Sequence, residues 1–140
     1  MLERLAADYF SWRGRIRRRS YWLRSLAAAP VVGAVAGLGA LVRPFSPAAA
    51  IALAALAICI GGWICATLVV RRFHDHGRHG WIGLAALFAA ALIGSAGHWV
   101  GAGLPAMTLS SVVGLALSIY VGFVPGMRGP NAYGPDPVAD

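Results

Sequence analysis

Residues 80–127 form a stretch of 48 positions with no Arg, Lys, Asp or Glu, and that stretch restricts the chain more than anything else in it. A hydrocarbon core of about 30 Å is crossed by about 20 helical residues rising about 1.5 Å each. Forty-eight positions are too many for one crossing and suit two joined by a short turn. The glycines at 94, 97, 101 and 103 and Pro105 mark that turn. They predict a third crossing over 81–100 and a fourth over 106–124, stopped by Pro125 and Gly126.

The first half supplies two more. Arg24 and Arg43 bracket 18 uncharged residues, which predicts a crossing over 21–42, with Pro30 a point of bending and both arginines able to snorkel. The segment Pro44-Phe45-Ser46-Pro47 ends it, and the 23 residues of 48–70 carry no formal charge. The expected fold is all-α, a single membrane domain over 1–140 with four transmembrane helices. Hydrophobic residues at 59% and charged residues at 12% agree with a chain written for lipid. Leu2, Leu5, Tyr9 and Trp12 recur at helical spacing, which fits a short amphipathic helix ahead of the first crossing. A cleavable signal peptide is disfavoured, because the first apolar core exceeds an h-region and three more follow.

All twelve cationic residues are arginine, and the net charge is +7. Eleven of them (4, 13, 15, 17, 18, 19, 24, 71, 72, 78 and 128) fall on one side of the four crossings and only Arg43 on the other. By the positive-inside rule both termini and a central loop, 71–80, face the cytoplasm. Trp22 and Trp81 then sit at the inner interface and Trp99 at the outer one, with His98 an outer interface residue. That explanation of the charge leaves no need for nucleic acid, for which no module is present. Cys59 and Cys65 are six apart, on different helix faces, so they cannot pair with each other and are expected as small buried hydrophobes.

Small residues four apart mark close helix contact in lipid. The fourth crossing carries five: Ala106, Ser110, Gly114, Ser118 and Gly122. They serve either the bundle or a homo-oligomer.

Three polar segments flank the crossings: residues 13–22, 71–81 and 129–137. Together they resemble the bacterial inner-membrane family known as domain of unknown function 805. The matching positions are Gly14, Arg15, Arg18, Tyr21 and Trp22 before the first crossing; Arg71, Arg72, His74, Asp75, Arg78 and Trp81 in the middle; and Asn131, Tyr133, Gly134, Pro135, Asp136 and Pro137 at the end. Phe73, His79 and Ala132 depart from the family's Leu, Ser and Arg. The resemblance implies a four-helix inner-membrane protein without an established activity, and implies that the terminal segment folds back over the central loop.

Within the central segment Asp75 is three residues from Arg72 and Arg78 and four from Arg71, within pairing distance on a helix or turn. A structural polar network of Asp75, Arg71, Asn131, Tyr133 and Asp136 is one expectation. The functional one is anion capture, with Arg15, Arg18, Arg72 and Arg78 at headgroup depth holding a phosphate of an anionic phospholipid and His74 as a further donor. His74, His76 and His79 lie among arginines that oppose a metal cation, so no metal and no cofactor is expected. The favoured reading is a non-enzymatic structural or regulatory protein of the bacterial inner membrane that presents a basic patch to anionic lipid or a partner. The alternative is a small oligomeric channel or transporter, and a third is an enzyme acting on a phosphorylated lipid. No catalytic residue is assigned.

Overall fold

The structure is a computed structural model that describes residues 9–137, apart from the side chain of His98. Leu2 and Leu5 of the expected amphipathic helix lie outside the described residues. Among the described residues four long helices follow: α1 (Arg18–Val42), α2 (Pro47–Asp75), α3 (Gly80–Trp99) and α4 (Gly103–Phe123). All four are long and apolar enough to cross a membrane, the architecture of a multi-pass membrane protein.

Local chemistry explains several of the boundaries. Between α1 and α2, the Ser46 side chain accepts from the Ala49 N–H and Pro47 occupies the first turn, which pairs a side-chain cap with a residue whose missing N–H costs nothing there. Just beyond the end of α2 stands Gly77, whose φ of +69° is the left-handed conformation that glycine tolerates and that stops a helix. The N–H groups of Gly77 and Arg78 then donate back to the carbonyls of His74 (3.0 Å) and Phe73 (2.9 Å). α4 starts three residues ahead of the expected 106 and carries Pro105 in its first turn, where proline is tolerated.

The larger difference is in the centre. The expected loop 71–80 does not begin at Arg71, because α2 continues through Asp75 and only residues 76–79 connect it to α3. Charged residues suggested a loop, but these side chains find partners inside the fold and the backbone stays helical.

Helices α1 and α2 form one antiparallel hairpin, in which Gly39 lies against Ala50 and Leu53, and Gly61 against Val32. In the second hairpin Ala106 of α4 fills the space a Cβ on Gly97 would occupy, and the Ser110 hydroxyl donates to the Ala90 carbonyl at 2.7 Å. Gly122 lies under the Trp22 ring. Three of the five small residues of α4 are thus committed to contacts within the bundle. The hairpins meet at the polar end, where Val69, Phe73 and Val121 form a buried cluster with Tyr21, Leu87, Leu117 and Tyr120 packed on it. Gly80 and Gly83 let α3 approach Val70, Val69 and Phe73. Elsewhere large apolar side chains point outward, among them Leu41, Ile58, Phe88 and Leu115, as lipid-facing helices require. Cys59 and Cys65 are exposed on this surface and are not the buried residues expected, since the loosely covered helices leave them outside the protein's own core.

Candidate functional site: a buried arginine–aspartate node beneath an arginine cleft

Asp75, on the last turn of α2, is 3% exposed and lies between two guanidinium groups. Arg72, one turn earlier, donates from Nη1 to Oδ2; Arg15, from the segment leading into α1, donates from Nε to Oδ1 at 3.1 Å. The i,i+3 spacing of a helix accounts for the first pair. The second joins positions 60 apart in sequence.

One carboxylate does not neutralise two guanidinium groups, and the remaining N–H positions are answered by main-chain carbonyls. Arg72 is 0% exposed. Its Nε donates to Val121 (2.7 Å), Nη1 to Ile16 (3.0 Å) and Nη2 to Val124 (2.8 Å). Nη2 also lies 3.4 Å from His76 Nε2, the same nitrogen that faces the Val124 carbonyl. Arg15 Nη1 donates to Gly129 (2.7 Å) and Nη2 to Met127 (2.5 Å). The carbonyls at 121 and 124 are available because they lie in the last turn of α4 and just beyond it, where no further helix takes them up. The Met127 N–H donates to the Asp75 carbonyl at 2.8 Å, and Gly126 passes so close that a Cβ there would overlap the Asp75 carboxylate.

The terminal segment closes over the other side. Asn131 and Gly134 exchange both main-chain bonds (3.0 and 3.1 Å), and the Asn131 amide donates to the His74 carbonyl at 2.9 Å. The Tyr133 ring stacks on His74 with centroids 3.9 Å apart, and its hydroxyl is 2.9 Å from His79 Nδ1. Asp136 accepts from the Gly129 N–H at 2.7 Å. His74 Nδ1 is 3.2 Å from the Gly14 carbonyl. His76 meets the Val124 carbonyl at 3.2 Å and the Tyr120 ring. Burial lowers the His76 pKa, partly offset by the Val124 carbonyl, with Arg72 also lowering it. His74 and His79 thus share Tyr133 between them, while His76 lies apart against Val124 and Tyr120.

Of the arginines expected to capture an anion, Arg15 and Arg72 are taken up by this node. Arg78 is exposed, and Arg18 is exposed while donating to the Phe123 carbonyl at 3.0 Å. Arg71 is half-buried and lines a separate cleft with Arg17 and Arg24. Beside the node lies an open cleft of about 720 Å³ lined by Arg17, Arg18, Arg19 and Arg128, with Asp75 and Asp136 also on its walls. Sequence reasoning missed Arg17, Arg19 and Arg128 as a group, since residues 19 and 128 come together only through the fold. It also missed Gly126, whose signal is a lone glycine after proline. The Trp22 indole N–H donates to the Gly122 carbonyl at 3.1 Å, fixing the wall of α1 to the end of α4.

A four-helix membrane protein tied at one end by a buried arginine–aspartate node is the class these features define. The family model described as "Protein of unknown function (DUF805)" matches residues 9–135, and the chain belongs to that family. No curated protein and no solved structure matches the chain significantly.

Proposed function

We propose that this is a non-enzymatic protein of the bacterial inner membrane, with both termini in the cytoplasm, whose open arginine cleft holds the phosphate of an anionic lipid headgroup. The observation that carries this reading is the convergence of Arg17, Arg18, Arg19 and Arg128 on one cleft. Guanidinium groups match phosphate oxygens with forked, charge-assisted bonds. The two carboxylates on the wall weaken the cleft little, because Asp75 is already held by Arg15 and Arg72 and Asp136 accepts from Gly129. Exposed Trp22 and Phe123 lie at the same end, so the cleft opens at the depth where headgroups begin. The eleven-to-one distribution of arginine supports the orientation.

The node also argues against acid–base chemistry. Both Asp75 oxygens already accept from guanidinium groups in a buried site, and the imidazoles are engaged as well, His74 and His79 by Tyr133 and His76 by the Val124 carbonyl. The node is structural and the cleft is the binding surface.

Native mass spectrometry of gently extracted protein, titrated with dioleoyl phosphatidylglycerol, tests this. Wild type is expected to retain the lipid and the triple variant Arg17→Ala, Arg19→Ala, Arg128→Ala to lose it while keeping its melting temperature. Equal retention by both proteins rejects the reading.

A further inference from the structure

On the side of the polar end covered by the terminal segment is a second cavity, of about 440 Å³, lined by Trp12, Val70, His74, His79, Trp81 and Tyr133 together with Gly80. Its composition is unlike that of the arginine cleft. Five of these side chains are planar rings, and no carboxylate or guanidinium is among them. Three segments distant in sequence supply the rings: the lead into α1, residues 74–81 spanning the end of α2 and the start of α3, and the terminal segment.

The hydrogen-bonding character of the imidazoles follows from their neighbours. The Gly14 carbonyl can only accept, so neutral His74 carries its hydrogen on Nδ1, 3.2 Å away, and presents a lone pair at Nε2. The Tyr133 hydroxyl, 2.9 Å from His79 Nδ1, donates to that nitrogen when the neutral ring holds its hydrogen on Nε2. One imidazole is then left with an acceptor and the other with a donor. Tyr133 itself is held flat against His74, with 5° between the rings, so this wall is preformed.

A ligand for such a cavity is uncharged, flat and able to accept a hydrogen bond. A phosphate finds no cation on these walls. An ammonium group would find aromatic faces, but in a chain of net charge +7 with Arg71 and Arg78 beside His74 and His79 in sequence it meets repulsion. Trp81 is 77% exposed at the first turn of α3, so the cavity is open at the level where a bilayer-dissolved molecule arrives. We propose that this cavity binds the ring of a membrane-soluble quinone-type compound, with the ring against Tyr133, Trp12 and Trp81, a ring carbonyl on His79 and the apolar tail left in the lipid.

Isothermal titration calorimetry of the detergent-solubilised full chain with a decyl-substituted benzoquinone tests the proposal, with decanol as the control for tail partitioning. Saturable one-to-one binding is expected, weakened ~3- to 10-fold by Trp81→Leu and again by Trp12→Leu, since each removes one aromatic contact. His79→Phe, which keeps a ring but no N–H, is expected to weaken it also. Tyr133→Leu removes the stacked wall; if it disturbs the terminal segment, exposed Trp81 still provides the test. Absence of saturable binding, equal heats with decanol, or affinity unchanged in both tryptophan variants overturns the proposal. Loss of quinone binding in the Arg17, Arg19, Arg128 variant with the tryptophan variants unaffected does so too, by moving the ligand to the other cleft.

Discussion

Arg15 and Asp75, 60 positions apart in sequence, meet with Nε 3.1 Å from Oδ1 in a site where neither side chain is more than 5% exposed. Through that contact the segment before α1 is fixed to the end of α2. Through the remaining bonds of Arg15 it is fixed to the carbonyls of Met127 and Gly129. Arg72 repeats the pattern toward α4, taking Val121 and Val124. The helix ends are joined by two guanidinium groups that use carbonyls no helix needs.

Removing Asp75 leaves two buried cations without their anion. Truncating one partner of a buried pair costs about 3–5 kcal/mol, so Asp75→Ala is expected to lower stability by about that much in a denaturant titration in micelles. Asp75→Asn keeps the shape and two acceptor lone pairs and is expected to cost less. The double variant Arg72→Met, Asp75→Leu is expected to cost less than the sum of the single changes, because it leaves one guanidinium unpaired where Asp75→Ala leaves two.

Gly126 passes the Asp75 carboxylate too closely for any side chain. Gly126→Ala must therefore displace either the carboxylate or the 125–127 backbone. The expected loss is about 1–3 kcal/mol, the usual range for overpacking, and Gly129→Ala is the informative comparison. Position 129 has open space around a Cβ but a φ of +77°, so its cost comes from the backbone and leaves the node intact.

Burial holds the His76 imidazole below the ordinary histidine range, with Arg72 and Arg78 acting in the same direction and the Val124 carbonyl and Asp75 opposing. A depressed folded-state pKa means that folding favours the neutral ring. The stability it contributes is present above the unfolded value of about 6.5 and is lost as pH falls through the lower folded value. The unfolding midpoint is expected to drop between about pH 7 and pH 5, and His76→Gln is expected to flatten that part of the profile. A wild-type profile flat over the interval, or one unchanged by His76→Gln, contradicts it.

On the far side of the bundle, Gly97 faces Ala106 without room for a side chain. Gly97→Leu is expected to force α3 and α4 apart and lower stability by about 1–3 kcal/mol. Ser110→Ala, which removes one hydroxyl donated to the Ala90 carbonyl, is expected to cost about 1 kcal/mol or less. Thermal unfolding followed by circular dichroism ranks the two.

How far these features can be read from the chain depends on their range. The four crossings and the polar segments were legible because uncharged length and residue order are local properties, and the family match over 9–135 agrees with the motifs. That Asp75 pairs with a neighbouring arginine was legible from helical spacing, but the spacing left Arg71, Arg72 and Arg78 equally open, and only the fold selects Arg72. The Arg15–Asp75 pair was not, since nothing local relates positions 15 and 75. The carbonyl acceptors leave no trace in side-chain identity. Residues 71–75 looked like a loop because they are charged, yet burial with partners keeps them helical. The cysteines failed for the converse reason: an apolar residue in a membrane helix faces protein or lipid, and composition does not distinguish the two.

Arg15 and Arg72 are buried and hold the polar end together, while Arg17, Arg19 and Arg128 are exposed. Hydrogen exchange at the arginine Nε–H groups, followed by nuclear magnetic resonance in micelles, distinguishes the two sets. Two slowly exchanging Nε–H signals, assigned to Arg15 and Arg72 and lost in Asp75→Ala, are the expected result against fast exchange at 17, 19 and 128. Exchange at Arg15 and Arg72 as fast as at those three positions would contradict this division of roles.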